Sequence, residues 1–142
     1  MVIHILAIAN ELGIPLTLND FELISKQVPF IGNLKPSGEK RIHDLYKLGG
    51  TQKVIRYLYE EGYLNGDTYC ITGKTLKEQC LEYDKLSFNT QEVIRPLTNP
   101  IQDRSALHIL KGNLSPNGCV AKISGKEGHY FSGPARVFDS ED

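Results

Sequence analysis

Val2, Ile3, Ile5, Leu6, Ile8, Ala9 and Leu12 make the start of the chain apolar on nearly every side of a helix. That pattern predicts a helix over Val2–Leu12 buried on most sides, with His4 as a satisfied core histidine. Asn19 or Asp20 can cap a second helix over Phe21–Gln27, with Leu18 as its hydrophobic staple and Pro29 as its stop. Phe30–Gly38 reads as a loop. Arg41–Leu48 reads as a short amphipathic helix with Ile42, Leu45 and Leu48 on one side, ended by Gly49-Gly50. Thr51 is placed to cap the next helix. There Val54, Ile55, Leu58 and Tyr59 form a stripe, Lys53, Arg56 and Glu60 face outward, and Gly62 closes the last turn. Asn65-Gly66 marks a turn and Thr68–Thr72 is short and strand-prone. Thr75-Leu76-Lys77-Glu78 fits a capping box that opens a helix to about Tyr83.

The pattern then changes. Residues 84–104 carry Asn89, Pro96, Asn99 and Pro100 with little periodicity, which predicts a crossing linker. Four short strand signals follow, at Ala106–Leu110, Cys119–Ile123, His129–Phe131 and Ala135–Phe138, separated by Gly, Pro, Asn and Ser. The expected class is α+β. Residues 1–83 form a helical module, 84–105 a linker, and 106–142 the opening strands of a β domain. A buried helix at the first residues and too few strands to close a sheet predict an internal piece of a longer protein.

Composition narrows the class. The chain has 142 residues, 40% hydrophobic and 23% charged, enough for one soluble domain with a core. A net charge of −1 gives no electrostatic draw to nucleic acid or an anionic membrane. The apolar start lacks a basic flank and is too short to span a bilayer. Cys70, Cys80 and Cys119 form no CxxC pair, so they read as reduced, partly buried thiols of a cytoplasm-like compartment.

Local motifs do not assemble a site. Gly73-Lys74-Thr75 suggests a phosphate loop, but Thr68 stands where the pattern needs a glycine, so a capped strand-to-helix turn is the better account. His4, His43, His108 and His129 lie at no metal-ligand spacing, and neighbours His43 and Asp44 point about 100° apart on a helix. Lys35-Pro36-Ser37-Gly38 is a compact basic loop that could hold a carboxylate. Asp139, Ser140, Glu141 and Asp142 make an acidic, solvated tail.

A set of segments in chain order carries more. It comprises His4-Ile5-Leu6-Ala7-Ile8-Ala9, Leu34-Lys35-Pro36-Ser37-Gly38, Asp44-Leu45 with Gly49-Gly50, and Tyr57-Leu58 with Gly62. Asn65-Gly66-Asp67, Thr72-Gly73-Lys74-Thr75-Leu76, Ile94-Arg95-Pro96-Leu97, Asn99-Pro100-Ile101, the Gly112–Gly128 run and the 133–141 tail complete it. Together they resemble the middle of a dihydroxy-acid dehydratase of the IlvD/Edd family. The resemblance implies a hydro-lyase that converts a small 2,3-dihydroxy acid to a 2-keto acid in branched-chain amino-acid synthesis. It further implies a homodimer with a helical α/β N-terminal part and a β-barrel-like C-terminal domain. An iron–sulfur cluster on three cysteines and a nearby Mg²⁺ come with it, in the cytoplasm or, in a eukaryote, a plastid or mitochondrion. The family's metal ligands and base serine belong to segments outside these residues. No catalytic or metal residue is therefore carried onto this chain, and no cofactor is expected bound to it alone. Lys35 and Ser37 are the candidates for the substrate side or an interface. A sugar-acid dehydratase acting on arabinonate or xylonate, or a non-catalytic interaction module derived from such an enzyme, are the alternatives.

Overall fold

The computed structural model describes residues 1–125, 130 and 132–140. Among these residues the fold is α+β: five helices, α1 (Val2–Glu11), α2 (Leu18–Gln27), α3 (Ile42–Lys47), α4 (Gly50–Glu60) and α5 (Leu76–Leu81), precede two strands, β1 (Leu107–Leu110) and β2 (Cys119–Lys122). The strands pair antiparallel with Leu107 opposite Lys122 and Leu110 opposite Cys119. Residues 112–122 of the Gly112–Gly128 run thus supply the turn and second strand of a hairpin. Ser115 is the hub of its loop: its amide donates to the Gly112 carbonyl at 3.1 Å, and its carbonyl accepts from the Gly118 amide at 3.0 Å.

The core sits between the helices and the irregular segment before β1. Ile31, Leu45, Val93 and Ile94 are its buried centre. Leu34, Leu48, Val54, Tyr57, Leu58 and Phe88 pack around them, with Tyr57 and Phe88 edge to face at 4.9 Å. Each such side chain taken fully from water stabilises by roughly 1.5–3 kcal/mol. Residues 84–105 contain no helix or named strand, yet supply half of that centre. Gln91 makes this possible: its Oε1 accepts from the Val93 and Ile94 amides at 2.8 and 2.9 Å, and its Nε2 donates to the Ile94 carbonyl at 2.8 Å. Residues 30–33 run against it, with the Asn33 amide donating to the Val93 carbonyl and the Arg95 amide to the Ile31 carbonyl, each at 2.8 Å. Backbone groups that lack a regular ladder are satisfied across the core instead.

Several local expectations change. Thr17, not Asn19 or Asp20, caps α2, and Leu18 is its first helical residue rather than a staple. Asp20 lies three residues on, its carboxylate accepting from the Thr17 amide at 2.8 Å. Gly49, not Thr51, caps α4, because its φ of 103° admits only a residue without a side chain at low strain. Ile42 is 72% exposed, so α3 turns only Leu45 and Leu48 inward. Arg56 does not face outward: it pairs with Glu60 at 3.0 Å and donates to the Tyr83 carbonyl. Thr68–Thr72 makes only the single bridge Tyr69–Thr75. Residues 135–138 form no strand, and the 129–131 expectation falls largely outside the described residues. α1 is not buried on most sides: Val2 and Ala9 are, but Ile3 is 72% and Ile8 60% exposed, and His4 is exposed rather than a core histidine.

Candidate functional site

The Leu34–Lys40 turn is held from below. Its ends bridge, with the Lys35 amide donating to the Lys40 carbonyl at 2.8 Å and the Lys40 amide to the Asn33 carbonyl at 3.0 Å. Asn33 is the anchor: its Oδ1 accepts from the Glu39 amide at 3.0 Å, and its Nδ2 reaches the Glu92 carbonyl. Gly38 closes the turn because any Cβ there would lie 2.3 Å from the Asn33 carbonyl carbon. The peptide bond before Pro36 is cis. This geometry lifts Lys35 into solvent and leaves Ser37 half-buried at the tip. Among the described residues, Lys35 enters no ion pair.

Beside the turn lies an open depression of about 530 Å³ lined by Lys40, Asp44, Lys47, Asn89, Thr90 and Glu92. Lys40 and Glu92 pair across it at 2.9 Å. Glu92 holds the Lys40 ammonium above its usual range by hydrogen bond and charge, and Lys40 holds the Glu92 carboxyl below its own. The Arg41 amide, donating at 2.8 Å, lowers Asp44. Such a surface can present fixed charges to a small polar molecule. Sequence reasoning singled out Lys35 and Ser37 but missed Asn33 and Glu92, which meet across 59 residues of chain. No local spacing signals that pairing.

The other motifs disperse. Thr75 caps α5 as expected, with the Glu78 amide donating to its hydroxyl at 3.2 Å. His43 stacks on Tyr46 at 6.4 Å. All three cysteines are free; Cys70 and buried Cys80 line one cleft of about 390 Å³ with Ile55 and Ile71, while Cys119 is exposed on β2. Burial, and then the neighbouring Cys70, push the Cys80 thiol up, away from the thiolate a metal needs. Among the described residues, no three His, Cys, Asp or Glu groups converge to hold a metal ion. No described helix is long and apolar enough to cross a membrane.

Comparison with known proteins supplies what the site does not. Residues 1–79 match the model of the dihydroxy-acid/6-phosphogluconate dehydratase N-terminal domain, and residues 92–142 match its C-terminal counterpart. The chain belongs to this dehydratase family. The chloroplastic dihydroxy-acid dehydratase of Arabidopsis thaliana is 50% identical over 99% of the chain, which covers 23% of that relative. The dihydroxy-acid dehydratase of Lactococcus lactis subsp. cremoris (strain SK11) is 51% identical over 99% of the chain and 25% of the relative. The mitochondrial enzyme of Schizosaccharomyces pombe is 48% identical over the same share of the chain and 23% of its own length. The chain thus spans about a quarter of the length of these relatives. Cys70 and Cys80 line one cleft that Cys119 does not, and the three-cysteine cluster site that the family resemblance implies belongs to segments outside these residues.

Proposed function

We propose that the chain is a scaffold-bearing part of a hydro-lyase that dehydrates a small 2,3-dihydroxy acid to a 2-keto acid. The observation that carries this is the near-50% identity, sustained over 99% of the chain, to enzymes named dihydroxy-acid dehydratase. In the reaction the C2 proton and the C3 hydroxyl leave as water, and the resulting enol takes a proton at C3 to give the 2-keto acid. An iron–sulfur cluster and Mg²⁺ would supply Lewis-acid chemistry in the intact enzyme. The donors for them are not assembled among the described residues, so no catalytic step is assigned to this chain.

Within that enzyme, residues 1–83 belong to the helical α/β part, 84–105 connect, and 106–142 open a β-barrel-like C-terminal domain. The β1–β2 hairpin and its open edges support the last assignment. Exposed Lys35 and half-buried Ser37, on the turn that Asn33 anchors, face the substrate side or an interface, where an ammonium and a hydroxyl suit a carboxylate. The intact protein is a homodimer in the cytoplasm or an organelle; named relatives include chloroplastic and mitochondrial enzymes. A sugar acid is the alternative substrate, because the matched family spans 6-phosphogluconate dehydratases as well.

Purified 1–142 supplied with iron, sulfide and Mg²⁺ is expected to make no 2-keto acid from 2,3-dihydroxyisovalerate. The same residues grafted in place of the matching segment of the Lactococcus relative are expected to support turnover. Activity in the isolated chain, or none in a folded graft, would overturn the assignment.

A further inference from the structure

Asn65 and Asn117 each precede a glycine, and both are exposed. Such a pair can modify itself, because a glycine nitrogen, unhindered by a side chain, can attack the asparagine side-chain carbonyl. The two turns treat the reacting atoms differently. At Asn117 the nucleophile is held, with the Gly118 amide donating to the Ser115 carbonyl at 3.0 Å. The Gly66 amide donates to no acceptor among the described residues. Both oxygens of Asn65 are instead approached by donors. The Asp67 amide donates to its Oδ1 at 3.0 Å, and the Thr68 hydroxyl donates to its main-chain carbonyl at 2.9 Å. Neither oxygen of Asn117 accepts a hydrogen bond among the described residues.

Loss of the Gly66 amide proton puts negative charge on that nitrogen and, by resonance, on the Asn65 carbonyl oxygen, where the Thr68 hydroxyl donates. Attack on Cγ then moves the charge to Oδ1, where the Asp67 amide donates. Donors already placed where charge develops lower a barrier without reorganising. We propose that Asn65-Gly66 is a self-modifying site, at which the Gly66 nitrogen closes a cyclic imide on the Asn65 side chain. The Gly66 proton goes to hydroxide, the N–Cγ bond forms and the Cγ–Nδ2 bond breaks. The leaving nitrogen takes a proton from water and departs as ammonia. Water then opens the imide at either carbonyl, giving an aspartyl or an isoaspartyl link. The isoaspartyl link adds a methylene to the main chain of a turn that anchors α5. There the Lys77 amide donates to the Gly66 carbonyl at 3.0 Å, and a Cβ on Gly66 would lie 2.5 Å from the Tyr59 ring of α4. A turn with so little slack cannot absorb the insertion, so the modification loosens α5 from α4. The reaction needs only water and is independent of the dehydratase assignment.

The test ages chain 1–142 at mildly alkaline pH, folded and in urea. Conversion of each asparagine is followed by peptide mass and by isoaspartyl-specific methylation. In the folded chain Asn65 is expected to convert about tenfold faster than Asn117. In urea, where neither turn is held, that ratio is expected to fall below about twofold. Thr68→Val, which removes the hydroxyl, is expected to slow Asn65 about fivefold and leave Asn117 unchanged, while Thr68→Ser keeps the native rate. Hydrogen exchange at the Lys77 amide is expected to quicken in the isoaspartyl product. An Asn117 that keeps pace with Asn65 in the folded chain overturns the proposal. So does a ratio that urea leaves unchanged, or a folded Thr68→Val chain that converts at the native rate. Should Thr68→Val not fold, the ratio in folded and urea-treated native chain decides. An unchanged Lys77 exchange rate overturns the loosening of α5.

Discussion

The middle of the chain and its two flanks obey different rules. Around Ile31, Leu45, Val93 and Ile94 in the middle, apolar side chains meet one another and stray backbone groups are gathered by Gln91 and Tyr57, whose hydroxyl accepts from the Leu97 amide at 2.8 Å. On the flanks, side chains of the same kind face water: Ile8 is 60%, Leu114 97% and Val137 88% exposed. Composition does not separate these regions. What separates them is whether a facing surface exists within the chain. An apolar residue contributes stability only through the area it removes from water.

The largest expected effect tests that contrast directly. Ile94→Ala in the buried centre is expected to destabilise the chain by about 2–5 kcal/mol in urea unfolding, whereas Ile8→Ala on bare α1 changes it by less than about 0.5 kcal/mol. Equal losses would erase the distinction. Next comes Gly38→Ala, whose new methyl group must displace the Asn33 backbone; a loss of about 1–3 kcal/mol is expected, with faster exchange at the Lys40 amide. A neutral outcome would show the turn to be as loose as the flanks. The smallest effect is electrostatic. Because Glu92 is lowered in the folded chain, its pairing contributes above the ordinary carboxyl pKa and is lost as pH falls through the depressed folded value. The raised Lys40 ammonium contributes below its ordinary pKa and loses its share as pH rises through the higher folded value. Glu92→Gln should flatten a slight acid-side decline in melting temperature, and salt should do the same, since both groups are solvent-accessible.

Helix positions were legible because their signals are local. The Thr75–Glu78 box and the Pro29 stop lie within a turn of the ends they mark, and both hold. Cap identity at α2 and α4 was less so. Asn19 and Asp20 at α2 and Thr51 at α4 carry cap-forming side chains, yet Thr17 and Gly49 take those places, because the backbone geometry of the preceding loop decides, as Gly49 does at positive φ. Facing was read poorly where periodicity alone had to decide. The α1 pattern is apolar all round, which sequence logic equates with burial, but burial needs a partner that periodicity cannot supply. Arg56 was placed outward by its charge, whereas its long stem packs at 13% exposure while the head reaches Glu60 and the Tyr83 carbonyl. At the candidate site, the Lys35–Ser37 turn was visible as a compact motif. Its anchor was not, because Asn33 and Glu92 come together only through the fold.

The unpatterned stretch before β1 has a consequence for how the molecule is made. Val93 and Ile94 complete a centre whose other half, Ile31 and Leu45, is synthesised some fifty to sixty residues earlier. During translation α3 and α4 emerge before that segment, so the centre they pack against is complete only once the stretch that looks least structured has been delivered. The core centre is therefore completed late, by a short irregular strip rather than by the successive appearance of helices.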